Sequence, residues 1–96
     1  MLQQITITSK SNVLLKPLLE TALQNERKLL LFGIQKTKRR LEHFETRYEM
    51  PSLEFDRLFK SQEIEENLDF IDWQMELTAM KLLEEHYQAL SGAKID

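Results

Sequence analysis

The chain has 96 residues, of which 30% are charged and 42% hydrophobic, with a net charge of −3, no Cys, two Gly and two Pro. This length suits one domain with a small core. The missing Cys excludes disulfides, thiol nucleophiles and Cys-ligated zinc and fits a reducing compartment. No run reaches the ~18 apolar residues of a membrane span, and Met1–Gln4 lacks the charged and apolar regions of a signal peptide. A cytoplasmic location and no membrane partner are therefore expected.

The net charge hides a division. Residues 1–49 carry +4 and residues 50–96 carry −7. Arg27 to Leu41 holds six bases and no acid, whereas Glu54 to Glu85 holds ten acids and three bases. Both halves read as amphipathic helix. The chain is expected to fold back on itself, basic helix beside acidic helix, each exposed pair adding ~0.2–1 kcal/mol.

Along the chain, residues 3–8 alternate polar and β-branched apolar side chains, a short strand or arm within residues 1–10. Ile5 and Ile7 share one face and Gln4, Thr6 and Thr8 the other. With no second strand evident, pairing with another chain is expected. Ser11-Asn12 caps a helix that tolerates Pro17 near its first turn. Leu15, Leu18, Leu19, Ala22, Leu23, Glu26, Leu29, Leu30 and Ile34 follow three/four spacing, and Thr37, Leu41, Phe44 and Tyr48 continue it. A helix over 12–49 would span roughly 57 Å at ~1.5 Å per residue. A compact domain of this size has a radius of gyration of ~12–13 Å. Either the helix breaks at Gly33, or the protein is elongated and a second copy covers the helix.

Leu29-Leu30-Leu31-Phe32 surrounds the whole circumference of that helix. One partner helix cannot bury all four, which implies contact with the last helix and with another subunit. Gly33 costs ~1 kcal/mol against Ala in a helix but admits a close backbone. A homodimer is expected, with Leu19, Leu23, Leu30, Leu31 and Ile34 in the interface and Ile5 and Ile7 pairing across the same axis.

Pro51 disfavours helix at Met50 and so ends the long helix. A short helix follows over 52–60, then a polar turn from Ser61 to Glu66. Asn67 caps a last helix over 67–91, stopped by Ser91-Gly92. The fold class is all-α: a short strand or arm, one very long helix, a short middle helix, and a final helix antiparallel on the long one. Phe44, Tyr48, Phe55, Phe59, Phe70, Trp73, Leu77 and Met80 are the expected core.

Chemistry is sparse. A di-iron helical site needs Glu-x-x-His, but the residues three before His43 and His86 are Arg40 and Leu83. No nucleophile–base set and no Gly-rich phosphate loop is present. No enzyme activity, metal or cofactor is expected. One alternative keeps nucleic acid in view: paired N-terminal strands of the ribbon–helix–helix kind could read DNA through Gln4, Thr6 and Thr8, with Lys36, Lys38, Arg39 and Arg40 on phosphate. The long unbroken first helix and the acidic half weigh against it.

The order Glu26-Arg27-Lys28-Leu29-Leu30, Lys38-Arg39-Arg40-Leu41, Arg47-Tyr48-Glu49-Met50, Leu53 to Phe59 and Leu68 to Trp73 resembles small helical antitoxin-like proteins of prokaryotic toxin–antitoxin gene pairs. The resemblance implies Gly at the position of Glu49, a departure here. It also implies a non-catalytic role in binding and occluding a toxin encoded by an adjacent gene. Glu63, Glu65, Glu66, Asp69 and Asp72 could then mimic phosphate charge toward that partner.

Overall fold

A computed structural model describes residues 4–5, 12–92 and 94–95 of the chain. Three helices dominate it: α1 (Asn12–Tyr48), α2 (Ser52–Lys60) and α3 (Leu68–Ser91). The fold is all-α, with α3 returning along α1. α1 is unbroken through Gly33, so the chain is elongated rather than broken there. The molecule measures 60 × 22 × 18 Å with a radius of gyration of 18.7 Å. Pro17 lies inside α1 rather than near its first turn, where it deprives the Val13 carbonyl of a helical hydrogen bond. Two-residue backbone segments, β1 (Gln4–Ile5) and β2 (Lys94–Ile95), pair in parallel, Ile5 opposite Ile95. The N-terminal extended segment therefore finds its neighbour within its own chain, at a C-terminus whose sequence gave no strand signal. Ile7, Thr6 and Thr8 lie outside the described residues.

Backbone geometry fixes the turn between α1 and α2. Glu49 adopts a left-handed conformation (φ 51°), and Met50 N–H donates to the Glu45 carbonyl at 3.1 Å. This 6→1 bond closes the helix end as in a Schellman cap. The Glu45 carboxylate then accepts from Ser52 N–H at 2.9 Å. Glu45 thus satisfies one orphan donor on each side of Pro51. α2 ends in the same way. Gln62 is left-handed (φ 59°), Glu63 N–H reaches the Leu58 carbonyl at 3.0 Å, and Gln62 N–H reaches Phe59 at 3.2 Å. Asn67 caps α3 as its sequence position suggests, its Oδ1 accepting from Phe70 N–H at 2.8 Å.

These turns deliver aromatic rings to one end of the hairpin. Trp73 and Phe55 are fully buried and stack at 3.9 Å, 2° from parallel. Phe44, Tyr48, Phe59, Phe70, Leu77 and Met80 surround them, together with Leu41, Met50 and Ile64. Rings of this kind bury on the order of 150–250 Å² each. At ~25 cal/mol/Å² that gives about 4–6 kcal/mol apiece as an upper bound. The indole Nε1–H donates to Ser52 Oγ at 2.9 Å within the core, so the indole donor is satisfied there.

Level by level, Arg40 Nη1 meets Glu76 Oε1 at 3.1 Å. A Cβ at Gly33 would sit 3.4 Å from a Leu83 methyl. The neighbour that Gly33 admits is thus a side chain of α3 rather than a second backbone.

Two opposite substitutions are expected to stabilise the chain. Gly33→Ala adds helix propensity within ordinary van der Waals contact, and Glu49→Gly removes left-handed strain. Each is expected to raise unfolding stability by about 1 kcal/mol in urea titration. Ser52→Ala should lower it by about 1–3 kcal/mol, because the buried indole N–H loses its acceptor.

Candidate functional site

α1 carries two stripes. One packs on α3 and includes the buried Thr37 and Leu41. The other repeats at four- and three-residue steps, through Leu18, Ala22, Asn25, Leu29 and Phe32 and on through Lys36, Arg39 and His43. Every one of these side chains is exposed, Leu18 and Leu29 by 66% and Phe32 by 62%. The stripe is apolar toward the N-terminus, basic toward the turn, and contains no acid.

α3 has a matching second stripe, through Leu68, Asp72, Met75, Ala79 and Leu82. Leu68, Met75 and Leu82 are exposed by 81%, 63% and 50%. The two stripes flank one groove. Lys36, Arg39, Arg40 and His43 line its α1 wall, Asp72, Met75 and Glu76 its α3 wall, with Phe44 also contributing. A second groove lies beside Ile34, with Lys81, Glu84, Glu85 and Gln88 from α3.

Leu30 alone of the Leu29–Phe32 run is half-buried; Leu29, Leu31 and Phe32 are exposed. Leu19, Leu23 and Ile34 are half-buried as well, and Leu31 is 40% exposed. Of the described side chains expected at a subunit interface, only Leu31 is exposed. Leu18 and Leu29, which belong to the three/four spacing but not to the expected interface, and Phe32 are more exposed still. Ile5 is described by its backbone alone.

The acidic candidates divide. Asp69 is occupied within the fold, accepting from the Tyr48 hydroxyl and pairing with Arg47 at 3.1 Å. Glu63 is held by Arg57 at 3.2 Å and by the Ser61 hydroxyl at 2.6 Å. Glu65, Glu66 and Asp72 are exposed and have no ion-pair partner among the described residues. Arg57 also grips Glu54 at 2.7 Å, and this hydrogen bond holds the Glu54 carboxyl below its usual range.

Lys36, Lys38, Arg39 and Arg40 are exposed. Lys38 does not join the others in lining the groove. Arg40 is neutralised by Glu76, and Asp72 faces Lys36 and Arg39 across the groove, so phosphate would meet both signs of charge there. Gln4 is described by its backbone alone. Among the described residues no three His, Asp or Glu side chains converge as metal ligands, and no helix is both long and apolar enough to cross a membrane.

The chain matches no protein-family model, no curated protein and no solved structure.

The hydrogen bond to Asp69, then partial burial and the Asp69 charge, raise the Tyr48 pKa above its ordinary value, with Arg47 opposing. A raised value in the folded state means this contact stabilises the fold below pH ~10 and is lost as pH climbs through the folded value. With Tyr87→Phe removing the other tyrosine, ultraviolet titration is expected to show Tyr48 ionising above the normal range. Asp69→Asn should bring it down.

Proposed function

We propose that the chain is a non-catalytic protein-interaction module of the antitoxin-like kind, which binds and occludes a partner toxin. One observation carries this reading: large apolar side chains stand exposed in rows along a braced helical hairpin. Leu18, Leu29 and Phe32 do so on α1, and Leu68, Met75 and Leu82 on α3. Surfaces of this kind mark protein-binding sites, and amphipathic helices recognise partners through anchors at three- and four-residue steps.

The acids Glu65 and Glu66 lie just before the N-terminus of α3, beside the exposed Leu68. A partner with a basic nucleic-acid groove would be attracted to that end by charge and held by the apolar rows. Occlusion then needs no chemistry from this chain. It needs a long, stiff element that can cover a groove, and α1 supplies one of 37 residues.

The test is co-expression with the product of the adjacent gene, with an affinity tag on this chain. A stoichiometric complex is expected. Glu65→Lys with Glu66→Lys is expected to weaken it by about tenfold, a change of ~1.4 kcal/mol. Failure of any protein to copurify, together with DNA binding that falls steeply as salt rises, would replace this reading with that of a DNA-binding regulator.

A further inference from the structure

We propose that a second copy of this chain docks groove to groove on the face between the two exposed stripes, forming a twofold four-helix bundle in which α1 of each copy lies over α3 of the other. It goes beyond the partner-binding reading above, which uses the same exposed rows, so a second copy and a partner protein compete for this face.

The first argument is what the single chain leaves undone. No residue from Leu15 to Lys36 is buried, although this stretch holds nine large aliphatic or aromatic side chains. The buried core is Leu41, Phe55 and Trp73, all near the turn end. Helices gain most of their stability from packing an apolar face. Two helices alone leave each with an outer side uncovered, whereas four arranged as a bundle bury both stripes.

The second argument is charge and level, and it selects the occupant. Arg40 opposite Glu76 and Gly33 opposite Leu83 fix which turns of α1 and α3 stand side by side. A twofold axis parallel to the helices preserves those levels between copies. Phe32 of one copy then meets Leu82 of the other, apolar on apolar. His43 comes level with Asp72, and Arg39 with Met75, one turn from that acid. Lys36 lies over Ala79, a small residue that allows close approach.

The other twofold arrangement lays α1 antiparallel on α1 about the Leu29–Phe32 turn. It sets Leu29 against Phe32, Asn25 against Lys36, Arg39 against Ala22 and His43 against Leu18, so no base meets an acid. The acid-free stripe of α1 and the Asp72-bearing stripe of α3 are complementary to each other, and each chain carries both.

The absence of Cys from the sequence makes the test direct. Two proteins with one Cys each, Lys36→Cys and Ala79→Cys, are mixed and mildly oxidised. A disulfide between them must then join two chains. The 36–79 cross-link is expected in high yield. Asn25→Cys mixed with Lys36→Cys, which the α1-on-α1 arrangement would join, is expected to give little. Sedimentation equilibrium of the unmodified chain is expected to show a dimer. Phe32→Glu is expected to give a monomer that keeps its Trp73 fluorescence, since the aromatic core lies at the far end. A chain that stays monomeric across the accessible concentration range, or one that cross-links 25–36 and not 36–79, would overturn the proposal. Neither result decides whether a different protein takes the same rows, which the copurification experiment reads separately.

Discussion

The buried indole of Trp73 sets the terms for the rest of this structure. Its stacked contact with Phe55 is possible only if α2 crosses the end of the hairpin at one position. Its N–H must also find an acceptor there, because an unpaired buried donor costs about 1–3 kcal/mol. Ser52 supplies that acceptor from the first residue of α2. Its placement depends on Pro51, on the left-handed Glu49 and on the two hydrogen bonds that Glu45 accepts. The turn is thus specified by backbone constraint and by core chemistry at once. It also fixes the level of α3 against α1, which decides that Arg40 meets Glu76 and Leu83 meets Gly33.

Away from that end the constraint weakens. α1 extends well beyond the aromatic cluster, and from Leu15 to Lys36 its apolar residues are at most half-buried. An isolated helix of ordinary composition is marginal in water. A helix this long persists because one end is anchored and α3 runs beside much of its length. Two helices can share only one stripe each. The outer stripes are left over, and their composition changes along α1 from leucine and phenylalanine to lysine and arginine. The same hairpin that hides Trp73 therefore presents both an apolar surface and a charged one, at different heights along a single face.

The sequence made some of this legible and concealed the rest for identifiable reasons. The aromatic core could be read because Phe44, Tyr48, Phe70 and Trp73 follow helical spacing on both sides of a proline-marked turn, and large rings at such positions have few alternatives to burial. Asn67 could be read as a cap because its side chain has a specific acceptor role. The left-handed residues could not. Glu49 and Gln62 are not glycines, and their conformation is imposed by helix-end hydrogen bonds rather than by residue type. Periodicity groups residues by face but does not say which face meets α3. Leu30 and Ile34 therefore looked like interface residues, while Leu29 and Phe32, one and two positions away from these, are the ones the fold exposes. Asp69 looked like surface charge because its partner, the Tyr48 hydroxyl, is 21 residues distant and belongs to another helix.

Charge separation along the chain acts at two scales. Within the hairpin it forms two ion pairs between the long and final helices, Arg40–Glu76 and Arg47–Asp69. Their basic members are more than half exposed, so each contributes little to stability. They disfavour a slip of one turn that would set Arg40 near Met80; the opposite slip, toward Asp72, keeps an acid beside Arg40 and is opposed by the aromatic core instead. Among the other bases of α1, Lys36 and Arg39 face outward beside the apolar patch rather than inward. Isolated positive charge there would attract any polyanion. Asp72 and Glu76 on the opposite wall of the same groove change that, because an incoming phosphate must pass them. A partner bearing ordered charges of both signs, spaced along a helix, meets no such penalty. The face thus presents bases, acids and apolar side chains in a fixed order along α1 and α3.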